Sequence, residues 1–431
     1  MTDSAPPPQI PTIRGFLSIA GQQFLGIALG IGVWIMLARM LPVSDFGEFT
    51  AAFGLAMLGG AFANLGLPQY VMMPFRKAIS SGDFNVARGL RRVMPWLLIG
   101  SGCIAYGVII GVKEVLGTDC SPREQSVTTV LALLPLTVLM RYLAATAGAH
   151  GAPGRAMFLT GPGQFLLVAL GLWRAWSRKG YEVCILDVAT GWVAASLLVC
   201  IALWYLNLMV EDEAFKRGKG TVPWRKMVRG SFPFFLSGLG GMLLVQAPFP
   251  ILGWICDEGR QAAIFAAADR LAKMLMVAYF AGTALFLPLL ADAIQSGDQD
   301  HYRRLIRRWF SLVGGSGLLI FGLLALFGPS LLGLYGDAYQ ASYPILLVAG
   351  TSLLFTVATG IFLRVLQYGG AGMASTLICV SASVVGVAGM IGLGWIWGAM
   401  GVAIAQAVAF IGMYVMLTVK ARTLVQPPKP A

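Results

Sequence analysis

The stretch that decides the fold is Trp309–Phe327, WFSLVGGSGLLIFGLLALF. It contains no charged side chain, and a helix of about 20 such residues crosses the roughly 30 Å hydrocarbon core of a bilayer. The segment just before it, Gly297-Asp298-Gln299-Asp300-His301-Tyr302-Arg303-Arg304-Leu305-Ile306-Arg307-Arg308, is polar and carries four arginines. An apolar run fenced by arginine on one side reads as a transmembrane helix with its basic loop toward the cytoplasm.

Eleven more runs of this kind surround it. The predicted spans are Phe16–Ala38, Phe49–Met73, Val93–Val112, Val127–Ala147, Met157–Trp176 and Val183–Leu208. The second half gives Phe232–Cys256, Gln261–Leu290, Trp309–Phe327, Pro344–Leu366, Ser375–Leu393 and Gly398–Val419. Composition over all 431 residues agrees: 57% hydrophobic, 12% charged, mean hydropathy +0.76. A soluble surface needs about twice that charge. Lipid leaves open backbone groups unsatisfied, so helices or a closed barrel must span it. The ten-residue alternation of barrel strands is absent. The expected class is an all-α polytopic membrane protein of twelve helices.

The net charge of +12 comes from 31 basic and 19 acidic residues. With the N-terminus inside, twenty basic residues fall in the loops and tails on that side. Seven fall opposite: Arg39, Lys113, Arg123, Arg174, Arg178, Lys179 and Arg260. Arg141, Arg270, Lys273 and Arg364 lie within spans. This distribution puts both termini in the cytoplasm and removes nucleic acid as the reason for the charge. The Arg174/Arg178/Lys179 cluster, between spans five and six, runs against it. Two histidines make a histidine metal site improbable, and six cysteines, mostly in or beside apolar runs, form no disulfide framework. Met1–Pro11 has four prolines, Asp3 and no basic residue, so it does not read as a signal peptide.

The organisation reads as a tail (1–13), a first lobe of six helices (14–208), a basic linker (209–231), a second lobe (232–419) and a C-terminal tail (420–431). The lobes look like copies. Gly82-Asp83, Arg88, Leu90 and Arg92 match Gly297-Asp298, Arg303, Leu305 and Arg307 at one offset. Phe49, Ala51, Ala52 and Leu55 match Phe265, Ala267, Ala268 and Leu271 at an offset one residue longer. Six helices per half make the repeat parallel, with its axis along the membrane normal and the transport path between halves.

Four segments carry a resemblance. They are Leu37-Ala38-Arg39-Met40-Leu41-Pro42-Val43-Ser44-Asp45-Phe46-Gly47-Glu48-Phe49, Asn64-Leu65-Gly66-Leu67-Pro68, Leu334-Tyr335-Gly336-Asp337-Ala338-Tyr339 and Gly398-Ala399-Met400-Gly401-Val402-Ala403. In that order they resemble the polysaccharide-transporter branch of the multidrug/oligosaccharidyl-lipid/polysaccharide flippase superfamily, over almost the whole chain. The resemblance implies a V-shaped, two-lobed transporter that flips undecaprenyl-diphosphate-linked sugar repeat units. Its implied partners are that lipid-linked oligosaccharide, membrane lipids, a polysaccharide polymerase and glycosyltransferases. No cofactor is expected; the membrane potential favours outward movement of an anion, and proton or sodium antiport is the candidate resetting step.

Charged residues inside spans cost about 2.5–3.5 kcal/mol on insertion scales, so they usually face water or a partner. Span eight holds Asp269, Arg270 and Lys273. Asp269 and Lys273 are four apart, in the favoured orientation for an ion pair. The functional reading is a cationic wall for the lipid diphosphate, with Arg270 left for the substrate and Asp269 as the candidate coupling-ion site. Arg141 in span four and Arg364 in span ten occupy equivalent places in the two halves. They read either as snorkelling residues or as an inner vestibule. Gln22, Asn64 and Gln246 are the candidate sugar-contacting residues, because spans one, two and seven border the cavity in the resembled family. Trp34, Trp254 and Trp395 read as interfacial anchors, and Pro248 and Pro250 as a hinge in span seven.

Three other classes are weighed. A drug antiporter of the same superfamily shares the fold, but Arg270 and Lys273 oppose a cationic substrate. A major-facilitator transporter requires an Asp-Arg that Gly82–Arg92 lacks. A membrane enzyme of polysaccharide assembly needs a large outer loop with catalytic residues, and the outer loops here are short.

Overall fold

The computed structural model describes residues 13–81, 83–115, 128–179, 183–211, 220–255 and 259–425. The expected N-terminal tail falls almost wholly outside that set, as do residues 426–431 of the C-terminal tail, Lys216, Arg217 and Lys219 of the linker and the side chain of Gln22, whereas 420–425 continue the last helix. Among the described residues the regular structure is entirely helical.

Each predicted span is present. Span one is Ile13–Met40, span two runs from Val43–Ala63 into Leu67–Ser81, and span three is Asn85–Val115. Thr128–Ala149, Pro153–Arg178 and Ile185–Val210 complete the first lobe. Spans seven and eight are each broken: Trp224–Gln246 with Pro248–Ile255, and Arg260–Ala272 with Met276–Ser296 across a tight turn at Lys273–Leu275. Gln299–Gly333 and Asp337–Tyr368 are spans nine and ten. Gly372–Val425 holds eleven and twelve, divided at Gly398, whose φ of 57° and ψ of −137° are open to glycine and strained for other residues. The fold is thus an all-α polytopic membrane fold of two six-helix lobes.

Span two departs from the continuous helix expected over Phe49–Met73. It stops at Ala63 and restarts at Leu67, because Leu65 (φ 49°) and Gly66 (φ 68°) are both left-handed. Asn64-Leu65-Gly66-Leu67-Pro68 is therefore a stop-and-restart signal: glycine supplies positive φ, and Pro68 sits where a starting helix needs no N–H. A left-handed leucine costs about 1–2 kcal/mol. Close packing holds it there. A Cβ built on Gly66 would lie 2.4 Å from both Ser231 O and Phe235 N of span seven.

The repeated Gly-Asp blocks have a structural counterpart. Asp83 Oδ1 accepts from Asn85 N at the start of span three, and Asp298 Oδ1 accepts from His301 N at the start of span nine. Both spans begin earlier than their apolar runs, since a carboxylate can cap a polar first turn. The other repeated blocks meet face to face: Val43–Ala63 packs along Arg260–Ala272, with Phe49 and Phe265 fully buried.

The end of the bundle that carries neither terminus, here the far end, is sealed between the lobes. A Cβ on Gly47 would fall 1.8 Å from Gly259 O, so two backbones touch there. A Cβ on Gly253 would lie 2.7 Å from the Ala51 methyl, a second close approach there. Arg39, at the end of span one, donates from Nε to Leu334 O and from Nη2 to Gly333 O, both at 2.8 Å, and so caps the last carbonyls of span nine. Tyr339 sits edge-on to Phe46 at 5.9 Å and beside Tyr335. Leu334–Tyr339 is thus the lid over this seal.

Candidate functional site

Below the seal lies a cavity of about 560 Å³, walled by spans one, two, four, five and six and closed from the other lobe by Arg270. Its wall near the far end is aromatic. Trp34, Phe53 and Trp192 form one cluster, with ring centroids 5.1–5.5 Å apart. Its wall toward the terminal end is mixed, with Gln69, Met72, Arg141, Thr160 and Gln164.

Arg270 is the member from the second lobe. Its guanidinium lies 4.2 Å from the centroid of Trp34 and 5.2 Å from that of Phe249, one ring from each lobe. Such stacking of a desolvated cation is worth about 2 kcal/mol. It satisfies no N–H, and Arg270 Nε and Nη2 are buried without a hydrogen-bond partner among the described residues. A fork held by two rings, with donors left over, suits an oxyanion.

Arg270 and Lys273 do not share this cavity. Three residues of α-helix turn the side chain through about 300°, leaving the two roughly 60° apart. Lys273 is drawn to the carboxylate four residues back and donates to Asp269 Oδ2. That pair lines a separate small cavity inside the second lobe, beside Ser352 and Gln406.

Arg141 lines the large cavity. It stands eight residues before Ala149, roughly 12 Å above the terminal end of its helix. Counted from Thr128 it lies roughly 20 Å below the far end, and Arg270, counted from Arg260, roughly 15 Å. The two guanidiniums therefore sit near mid-depth. Arg141 has no acidic partner among the described residues, and no Asp or Glu lines the cavity.

The remaining predicted residues lie elsewhere. Arg364 donates from Nη1 to Gln367 Oε1 at 2.9 Å within the second lobe. Asn64 is buried at the break of span two, and Gln246 at the break of span seven against Gly54 of the first lobe. Neither lines the cavity. Each has a side-chain oxygen without a partner. Span seven breaks at Ala247, directly before Pro248, and Pro250 lies in the helix that follows. Trp254 and Trp395 are exposed and edge-on to each other at 6.5 Å, as anchors facing lipid would be. Trp34 is not an anchor: it is 4% exposed and forms the cavity wall. Distance from a helix end could not show which face it occupies.

Sequence reasoning also missed the functional side of Gln69 and Gln164, which line the cavity, and of Trp192 and Phe53. Phe53 carried a partial signal, since it stands four residues after Phe49 on one helix. Only packing brings Trp192 of span six onto them.

No family model and no curated protein matches the chain. Solved structures do. An inward-facing conformation of a multidrug resistance MATE family transporter of the MOP superfamily aligns over 96% of this chain and 98% of its own, with a TM-score of 0.74 and 16% identity. An outward-facing conformation of such a transporter gives 0.66 at 14% identity, over 95% of each chain. A third, from Pyrococcus furiosus Vc1, gives 0.67 at 13% identity, over 96% of this chain and 95% of its own. It is described by the words "Reverse polarity of binding pocket suggests different function of a MOP superfamily transporter". The chain is a multi-pass membrane protein with the fold of the MATE transporters.

Proposed function

We propose that this chain is a flippase for an anionic lipid-linked oligosaccharide, an undecaprenyl-diphosphate-linked repeat unit, working by alternating access at the bacterial cytoplasmic membrane. The observation that carries the reading is the cavity's charge: Arg270 and Arg141 line it at mid-depth, with no carboxylate in its lining among the described residues. A diphosphate can take paired hydrogen bonds from such forks. Trp34 and Trp192, both buried, back an apolar wall on which Phe53 is the more exposed ring, and Gln69 and Gln164 offer amide groups to hydroxyls. The four resemblance motifs point the same way.

The far-end seal and the cavity beneath it correspond to a state that loads from the terminal end. The basic-loop asymmetry supports a cytoplasmic terminal end. An anion leaving a negative interior then gains about 2.3 kcal/mol per charge per 100 mV. Proton or sodium entry at Asp269, displacing Lys273, is the proposed resetting step. Glycosyltransferases would supply the cargo and a polymerase would consume it.

Extrusion of small molecules is the second reading, favoured by the multidrug transporter that aligns at 0.74. The cavity charge opposes a cationic drug, and the reversed pocket polarity named for the Pyrococcus protein is a precedent for such a difference within the fold. The test is reconstitution in liposomes. Arg270→Ala and Arg141→Ala should each slow movement of a polyprenyl-diphosphate sugar roughly 10- to 100-fold, as loss of a charge-assisted hydrogen bond of about 1.5–3 kcal/mol requires. Unchanged movement in both would sink the proposal.

A further inference from the structure

A second polar cavity lies outside the transport path. It is a pocket of about 220 Å³ between the terminal-end halves of spans three, four and six, on the outer side of the first lobe. Arg91 and Glu211 form its back wall. Arg91 Nε donates to Glu211 Oε1 at 2.7 Å and Nη2 lies 2.6 Å from Oε2, so each neutralises the other. Arg92 lines the pocket, is exposed, and has no acidic partner among the described residues. Asn207 lies inside it, 6% exposed. Its amide nitrogen donates to Leu143 O at 2.9 Å and Leu203 O at 2.8 Å, which fixes the amide's orientation. Its Oδ1 is therefore an acceptor, buried and without a donor. Trp96 and Trp204, 75% and 48% exposed, stand at the mouth.

We infer that this pocket binds the head group of one anionic glycerophospholipid from the leaflet at the terminal end, of the kind that carries both a phosphodiester and a free hydroxyl. A buried acceptor without a donor costs free energy unless something donates to it. A head-group hydroxyl supplies that donor. The cation at the mouth, without an acidic partner among the described residues, favours an anion there, and a phosphodiester supplies one. The two indoles are suited to the boundary between head group and acyl chain. The lipid is the occupant rather than a soluble anion because the pocket opens on the bundle's outer side, between tryptophans facing the bilayer. Its grip ties span three to span six across span four, and it is independent of the cargo carried in the central cavity.

The experiment is native mass spectrometry of the purified full-length protein, titrated in detergent with one lipid at a time. Phosphatidylglycerol should bind at least about tenfold more tightly than phosphatidylcholine, the gain of one charge-assisted contact. It should also bind more tightly than phosphatidic acid, which lacks a head-group hydroxyl. Arg92→Gln should abolish the preference over phosphatidylcholine, and Arg92→Lys should keep part of it. Equal binding of all three lipids by the unaltered protein would overturn the inference, with no variant needed. So would a preference that survives Arg92→Gln. Glycerol phosphate that competes as well as the lipid does would mean the site takes a soluble anion, and would overturn the assignment to lipid.

Discussion

Gly47→Ala is the substitution that most directly probes the far-end seal. The new methyl carbon would lie 1.8 Å from Gly259 O and 2.5 Å from Gly259 C. Both are main-chain atoms, so no rotamer relieves the clash. Ordinary contact needs more than about 3.4 Å, so one lobe must move away from the other by roughly 1.5 Å at this point. Gly259 is itself left-handed (φ 65°) and pinned against Ser44 O and Glu48 N, so the strain cannot be absorbed locally. Overpacking of a tight contact costs about 1–3 kcal/mol. Because that cost falls only on the sealed state, the equilibrium shifts toward far-end opening by about 5- to 150-fold. The assay is pulsed dipolar spectroscopy on spin labels at Trp254 and Leu334, exposed positions near the far end of the second lobe, each paired with a label at Leu186, exposed at the far-end start of span six in the first. The Ala variant should show a new, longer distance component in both pairs, and faster labelling of a cysteine at Thr50. Distances identical to those of the unsubstituted protein would refute the claim that backbone contact at Gly47 holds the seal.

Three further outcomes are expected. Gly66→Ala meets Ser231 O and Phe235 N at 2.4 Å and must hold a left-handed φ, so it should lower the melting temperature of the purified protein by several degrees, whereas Gly21→Ala, in open space, should not. Asp269→Asn should destabilise by about 3–5 kcal/mol because Lys273 is left buried without its partner, while Asp269→Leu combined with Lys273→Met should recover most of that in a chemical denaturation series. Arg39→Gln removes the two bonds to Leu334 O and Gly333 O at an exposed site, so it should raise the far-end-open population only a few-fold in the same spectroscopic assay, and less than Gly47→Ala.

The fold was legible because its signal is repeated and physical. Each apolar run is long enough to cross lipid, and the arginines before Trp309 mark one side. The Asp269–Lys273 pair was legible too, since four residues of helix bring those side chains together. What separates Arg270 from Lys273 was not. The sequence puts both on span eight, and only the packing of two lobes turns one toward Trp34 and the other inward. The same limit explains Trp34, whose place near a helix end suggests an interface but whose neighbours Phe53 and Trp192 bury it. The break at Leu65 was hidden because leucine favours helix and rarely takes positive φ. It is imposed by the approach of Gly66 to span seven, a contact between residues more than 160 positions apart.

The central claim is that the cavity between Trp34, Arg141 and Arg270 carries an anion. The most direct measurement is a paired transport assay in one preparation of proteoliposomes, with a short-chain polyprenyl-diphosphate sugar and a lipophilic organic cation offered in turn, for the unaltered protein and for Arg141→Ala/Arg270→Ala. The account predicts that the unaltered protein moves the diphosphate and not the cation, and that the double variant loses the diphosphate while keeping its fold by circular dichroism. Movement of the cation alone by the unaltered protein, or undiminished diphosphate movement by the double variant, would contradict it.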